Sequence, residues 1–258
     1  MSKKEVAKIE EQKNVVIAEK AQALTVAQGA EEEILSSMIK LPRLSLQQKM
    51  SKAVEEEKAK VGDLFENLQN TVVCKKEEPF IFVPLKLRNV ITTYEVVGQK
   101  KEFRSQVART AKNEKQEWDE VKDGKTYKHL PETILYCINS KDLEEGNPFL
   151  PYVFTFRGAS MPKGGKSIYT QKLLLDSSGI QFYKYKFKMT NEKLEKDGNT
   201  FQVANVERLN EKTDEKFHSV CEGWMQTLSN MSNIEVTEDE EINTDSKPQA
   251  ATTGMEQF

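Results

Sequence analysis

Between Pro42 and Val206 apolar residues recur mostly at every second position, in short runs broken by turn residues. On an extended chain successive side chains point to opposite faces, so this spacing specifies strands. The runs are 42–46, 71–74, 80–91, 92–97, 132–138, 151–158, 181–188 and 200–206, with a further short strand expected after the Gly62-Asp63 turn. A helical spacing of three and four residues occurs at Phe217, Val220, Cys221, Trp224, Met225 and Leu228, behind the start signal Thr213-Asp214-Glu215-Lys216. Seven to nine short strands and one packing helix near the end predict a mainly β fold, a closed or partly closed antiparallel barrel or sandwich. Asp197-Gly198 predicts a hairpin joining the last two strands. The densely charged segment Lys100–Lys128 has few apolar anchors and reads as a long excursion carrying a short helix over Phe103–Trp118. Ile168–Leu175 fits either a helical turn or a strand.

The ends differ from this body. Residues 1–40 are rich in Ala, Glu, Lys and Gln and make only a ragged apolar stripe, which suggests a helical or flexible arm. Residues 41–212 form the predicted β domain, 213–232 the helix packed on it, and 233–258 a disordered acidic tail. Charge follows the same division. Residues 41–234 hold 31 Lys/Arg against 27 Asp/Glu, whereas 235–258 hold one Lys against seven acids. A mildly basic body with an acidic tail points to interaction with nucleic acid or protein. The odd, widely spaced Cys74, Cys137 and Cys221 make no disulfide framework, and a reducing, cytoplasmic setting is expected. No secretory signal and no apolar run of membrane-spanning length is evident, so no membrane partner is expected.

The stretch Gln181–Lys188 concentrates the chemistry. As a strand it puts Tyr183, Tyr185 and Phe187 on one face and Lys184, Lys186 and Lys188 on the other, with Phe182 just before. Cations beside rings are what a groove for single-stranded nucleic acid needs, since they offset phosphates and stack bases. The same alternation belongs to any strand with one packed and one wet face. Further cations on or next to strands are Lys86, Arg88, Arg157, Lys163, Lys166 and Lys172, and Phe154, Phe156 and Tyr169 interleave with them.

Enzyme chemistry finds little support. Gly164-Gly165-Lys166-Ser167 resembles the end of a phosphate loop, but Ser160 stands where the first glycine belongs and no parallel β-α-β unit surrounds it. The two glycines are expected to let a basic loop bend and bring its amides near a phosphate. His129 and His218 have no partner at metal-ligand spacing. No catalytic residue, metal or cofactor is assigned.

The order of parts resembles the single-stranded DNA-binding proteins of bacteria and their phages: a small basic β domain, a helix, then an acidic tail ending in an aromatic. The tail match is Glu238, Asp239, Glu240 and Glu241 with Phe258, although here the acids stand well upstream of the final residue. The body is similar to phage proteins described as single-stranded DNA-binding, through Pro42-Arg43-Leu44-Ser45-Leu46-Gln47-Gln48, Lys60-Val61-Gly62-Asp63, Phe154-Thr155-Phe156-Arg157-Gly158 and the helix after Val206. The resemblance implies an OB-like antiparallel barrel that protects single-stranded DNA without sequence preference in phage replication, recombination and repair. It also implies a tail that recruits replication and recombination proteins, no enzymatic activity, and location in the bacterial host cytoplasm. A homo-oligomer is compatible with it. Two other classes stand beside this reading: a structural or scaffolding protein of the virion, using 1–40 for assembly, and a DNA annealing protein or nuclease.

Overall fold

The computed structural model describes residues 40–98, 100–113, 117–146, 150–196 and 198–230. The arm expected at 1–40, apart from Lys40, and the tail expected at 233–258, including Glu238–Glu241 and Phe258, lie outside these residues. The fold is mainly β. Ten strands among the described residues form one sheet: β1 (Arg43–Leu46), β2 (Leu64–Glu66), β3 (Thr71–Cys74), β4 (Phe80–Val97), β5 (Lys100–Ala108), β6 (Trp118–Lys122), β7 (Lys125–Asn139), β8 (Tyr152–Phe156), β9 (Tyr185–Lys196) and β10 (Asn199–Lys212). Their order is β10-β9-β4-β7-β8-β1-β2-β3, with β5 added to β4 and β6 to β7. All pairs are antiparallel except β1 with β8, where Arg43 faces Val153 and Leu44 faces Phe154.

The sheet curls into a half-barrel. Its edge strand β10 returns to the segment after β1, where a single side chain bridges the gap. Gln48 Nε2 donates to the Gln202 carbonyl at 2.8 Å, and the Gln202 amide donates to Gln48 Oε1 at 2.8 Å. A glutamine amide offers one donor and one acceptor side by side, as a strand residue would. Two residues on, the Ala204 amide donates to Ser160 Oγ at 3.2 Å.

Alternation along the strands divides the core between the two faces of the sheet. The inner face buries Phe82, Leu135, Cys137, Phe154, Phe156 and Phe187. It is covered by a π turn over Met161–Gly165 and helix α3 (Lys166–Ser177), whose Ile168 and Leu175 are fully buried there, seven residues or about two turns apart. The outer face buries Val83, Leu85, Ile134, Tyr136 and Val153 under helix α4 (His218–Asn230), through Val220, Cys221 and Leu228. Each such side chain, taken fully from water, stabilises the fold by roughly 1.5–3 kcal/mol. A bulge between Pro84 and Lys86 turns β4 locally, as expected where proline cannot donate to the ladder. Two short helices, α1 (Lys52–Glu55) and α2 (Ser140–Glu145), fill connections.

Strands β4 and β7 outrun the half-barrel. Their far halves, 90–97 and 125–132, carry β5 and β6 on their outer edges and make a four-stranded arm, β5-β4-β7-β6. No residue of β5 or β6 is buried. This overturns the helix expected over Phe103–Trp118: β5 runs on to Ala108, β6 begins at Trp118, and no described residue between them is helical. On one arm face Glu132 is buried and accepts from Thr92 Oγ1 at 2.5 Å, while Gln106 donates to Thr92 at 3.2 Å. On the other, Trp118 stacks on His129 at 4.5 Å, and the imidazole sits between Thr93 Oγ1 (2.9 Å) and Glu120 Oε2 (3.1 Å).

Candidate nucleic-acid interface

The stretch 181–188 is not one strand. Gln181 is extended, Phe182–Lys184 form a 3-10 turn, and β9 begins at Tyr185. A 3-10 turn has three residues per turn, so neighbouring side chains diverge by about 120° rather than alternating. Phe182 therefore enters the inner core, 5.3 Å from the Phe187 ring. Tyr183 enters the outer core, and its hydroxyl donates to Glu222 at 2.5 Å. Burial, and then that bond, push the Tyr183 phenol up to about 12.

The other expected stacking rings are also packed. Phe154 and Phe156 meet edge-to-face at 4.8 Å, and Phe156 and Phe187 are 0 % exposed. Tyr185 is half-buried, with the Arg208 guanidinium 5.1 Å from its centroid. A ring must expose a face to stack a base. Phe154, Phe156, Phe182, Tyr183 and Phe187 do not, because the first two, Phe182 and Phe187 fill the inner core and Tyr183 the outer one.

The cations are mostly paired. Lys186 is held by Glu144 at 2.7 Å and by Glu211, Lys188 by Glu207 at 2.9 Å, Lys172 by Asp176 at 2.5 Å, and Lys163 by Glu192. Burial depresses the Lys86 ammonium and the neighbouring Arg88 charge depresses it further. Lys86 donates to the Leu228 carbonyl at 2.8 Å, placing a cation at the C-terminal end of α4, where the helix dipole favours it. Arg88 follows it on β4, and Arg157 is half-buried beyond the end of β8. Lys166 and Lys184 are exposed and carry no ion pair among the described residues. They do not share a groove: Lys166 opens α3 on the inner-core side, whereas the Lys184 carbonyl accepts from Thr213 beside α4.

Gly164 and Gly165 do not open onto a ligand. Both are buried, and a Cβ on Gly164 would lie 2.4 Å from Phe156 Cε1 and 2.6 Å from the Ala204 carbonyl. They let the π turn approach the sheet, which sets the height at which α3 rides. The side of α3 away from the core then presents Lys166, Tyr169 and Leu173, at spacings of three and four, with Leu174 alongside. Tyr169 is 40 % exposed, Leu173 50 % and Leu174 54 %. The sequence named Lys166 and Tyr169 but not their neighbours. Ile168 and Leu175, seven apart, were the available sign that only one narrow face of this helix is covered.

A model of the family described as Pam3 phage gp34-like protein matches residues 10–232. The chain belongs to this phage-associated family. The match takes in the whole half-barrel, the arm and α4, so the elements described above are what the family shares a pattern over. No curated protein and no solved structure matches the chain.

Among the described residues no group of three or more His, Cys, Asp and Glu is placed to hold a metal ion. His218 Nε2 lies 3.3 Å from the Thr213 carbonyl and its ring meets Tyr183 edge-on. The three cysteines are free and buried. Burial raises Cys221 to about 12, and burial with the Glu78 and Asp63 charges raises Cys74 to about 11, so neither thiol is nucleophilic at neutral pH. No described helix is long and apolar enough to cross a membrane.

Proposed function

We propose that the protein binds single-stranded DNA without sequence preference, on an OB-like half-barrel, during phage replication, recombination or repair. The observation that carries this reading is the α3 stripe. Tyr169 is the most exposed ring among the described residues, and it stands one turn from Lys166, a cation with no carboxylate partner there. A ring and a free ammonium on one side of a helix suit a base and its phosphate, at ~1–3 kcal/mol per stacked base. A curled sheet with a helix laid across its open side supports the OB-like description. In this reading the acidic segment 235–258 recruits replication and recombination proteins and competes with DNA for the cations.

Fluorescence anisotropy with labelled oligo-dT over a salt series tests the proposal. Binding at low salt that weakens as salt rises is expected, and Lys166→Ala with Tyr169→Ala lowers affinity at least tenfold. No binding of the parent chain at low salt refutes it.

The arm favours a second reading, a virion assembly protein. Among the described strands β5 pairs with β4 and β6 with β7, which puts both at the margins of the arm, and sheet margins are templates for pairing with another chain. That reading expects a large oligomer whose size ignores oligonucleotide, as light scattering would report.

A further inference from the structure

Asp63 is a buried carboxylate, 6 % exposed, that no catalytic or core role accounts for. It faces inward onto backbone. Oδ2 accepts from the Lys60 amide at 2.8 Å and Oδ1 from the Lys76 amide at 3.0 Å. One carboxylate thus ties two turns together, the turn before β2 and the turn after β3. A third segment is tied to the same point. Asn191 of β9 donates to the Gly62 carbonyl at 3.2 Å, and Gly62 holds φ +96°, where only glycine is comfortable. The approach is close: a Cβ on Gly62 would lie 2.2 Å from Asn191 Nδ2 and 2.8 Å from Lys76 Cγ, so the Lys76 stem is laid across the turn. The segment after β1 joins as well, through Gln47 and Gly62 backbone bonds of 2.9 and 2.8 Å.

The result is a corner from which Lys49, Lys60, Lys75 and Lys76 all emerge exposed. None has an ion pair among the described residues, not even with Glu77 and Glu78, which follow in the same turn. The contrast with β9 is physical. There Lys186 and Lys188 meet carboxylates of neighbouring elements, whereas here the Asp63 oxygens are each engaged by a backbone amide and make no ion pair with these lysines among the described residues. The corner also continues to α3. Gln48, next to Lys49, bonds Gln202 on β10, and Ala204 of the same strand edge bonds Ser160, at the start of the turn leading to Lys166.

From this we infer that the Asp63-pinned corner carrying Lys60, Lys75 and Lys76, with Lys49 at its rim, is a phosphate-backbone contact of the protein, extending the α3 stripe along the β10 edge. The inference rests on the reading of the protein as a single-stranded DNA binder and assigns where most of the electrostatic contact is made. It also explains why the strand lysines can remain in ion pairs.

Each phosphate neutralised on a single strand contributes about 0.7 to the slope of log affinity against log salt. Replacing all three of Lys60, Lys75 and Lys76 with alanine should lower that slope by about 2, which is about a 100-fold loss near 0.1 M salt. The probe is labelled oligo-dT on the full chain. The triple arginine variant keeps the charge and should bind as the parent does. Exposed lysines leave stability nearly unchanged, which a melting curve of each variant checks. In the unmodified chain, oligo-dT should also protect these three amines from acylation, read by mass spectrometry. A parent that binds while the alanine triple binds equally well, or amines that stay reactive in the complex, overturns the corner and leaves the DNA reading standing. A parent that binds no DNA at low salt overturns both.

Discussion

Replacing Gly164 by alanine tests how tightly the π turn is seated. The new Cβ would stand 2.4 Å from Phe156 Cε1 and 2.6 Å from the Ala204 carbonyl oxygen, well inside van der Waals contact. Neither neighbour can give way cheaply. Phe156 is 0 % exposed and wedged against Phe154 at 4.8 Å, and the Ala204 carbonyl belongs to the backbone of β10. Inserting a methyl group into a packed interior costs typically 1–3 kcal/mol. Against that, alanine gains about 1 kcal/mol over glycine in a helical backbone. With backbone as one of the two obstacles the upper part of the first range applies, so the net loss is about 2 kcal/mol. For a domain of this size that lowers the melting temperature by about 4–8 °C. Urea unfolding followed by circular dichroism should show a lower midpoint at an unchanged slope. A midpoint equal to or above that of the parent would refute the reasoning, because the turn would then have room to ride higher.

Changing Gln48 to leucine removes both bonds that hold the half-barrel seam and strands the amide and carbonyl of Gln202, a residue 6 % exposed. The expected cost is about 1–3 kcal/mol, and amide exchange at Gln202 should quicken more than at Val203; equal protection in both proteins would show that the seam is held by something else. Lys186→Met breaks the contacts to Glu144 and Glu211 and should cost about 1 kcal/mol at pH 7 while leaving DNA affinity nearly unchanged. The sign with pH follows from the shifts. The Lys186 bond holds Glu144 below the usual carboxylate range, so its contribution is present above about pH 4.5 and is lost as pH falls through the lowered value. Lys186 is pulled down by burial but raised overall by Glu144 and Glu211, so its contribution persists through neutral pH and fades only above its ordinary value. Melting curves of parent and variant should therefore converge in acid, and a gap that stays constant down to pH 3 would rule the pairing out as its source.

The strands of the body were legible because each has one face in a core, which imprints period two on the sequence. The same holds for α4, whose apolar residues from Phe217 to Leu228 keep helical spacing. Strands β5 and β6 left no such imprint. Both faces are wet, and Phe103 and Val107, four apart, imitate a helix. The available signal was Asp123-Gly124, whose φ values of 52° and 75° make the tight hairpin turn between β6 and β7. The candidate site was legible as residue types and not as an arrangement. Which rings point inward depends on a 3-10 turn of three residues, and which lysines are neutralised depends on partners 42 and 25 residues away in the case of Lys186. The Asp63 corner joins four segments that no local pattern relates.

The arm and the half-barrel share two continuous strands. β4 runs 18 residues, ~60 Å at ~3.3 Å per residue, from the inner core to the tip near Gly98, and β7 runs beside it in unbroken register from Tyr136 to Thr126. The arm is therefore not a detachable attachment but the protruding length of two barrel staves. A load applied at its tip passes along covalent backbone into Leu135 and Phe82 without crossing a hinge. The same continuity restricts how its length can vary between relatives. One residue inserted in either strand would swap the faces of everything beyond it, moving Tyr94 and Glu132 out to solvent. Two residues added to each strand leave every face where it was, whereas a single extra residue keeps the faces only where it is absorbed as a bulge, as between Pro84 and Lys86.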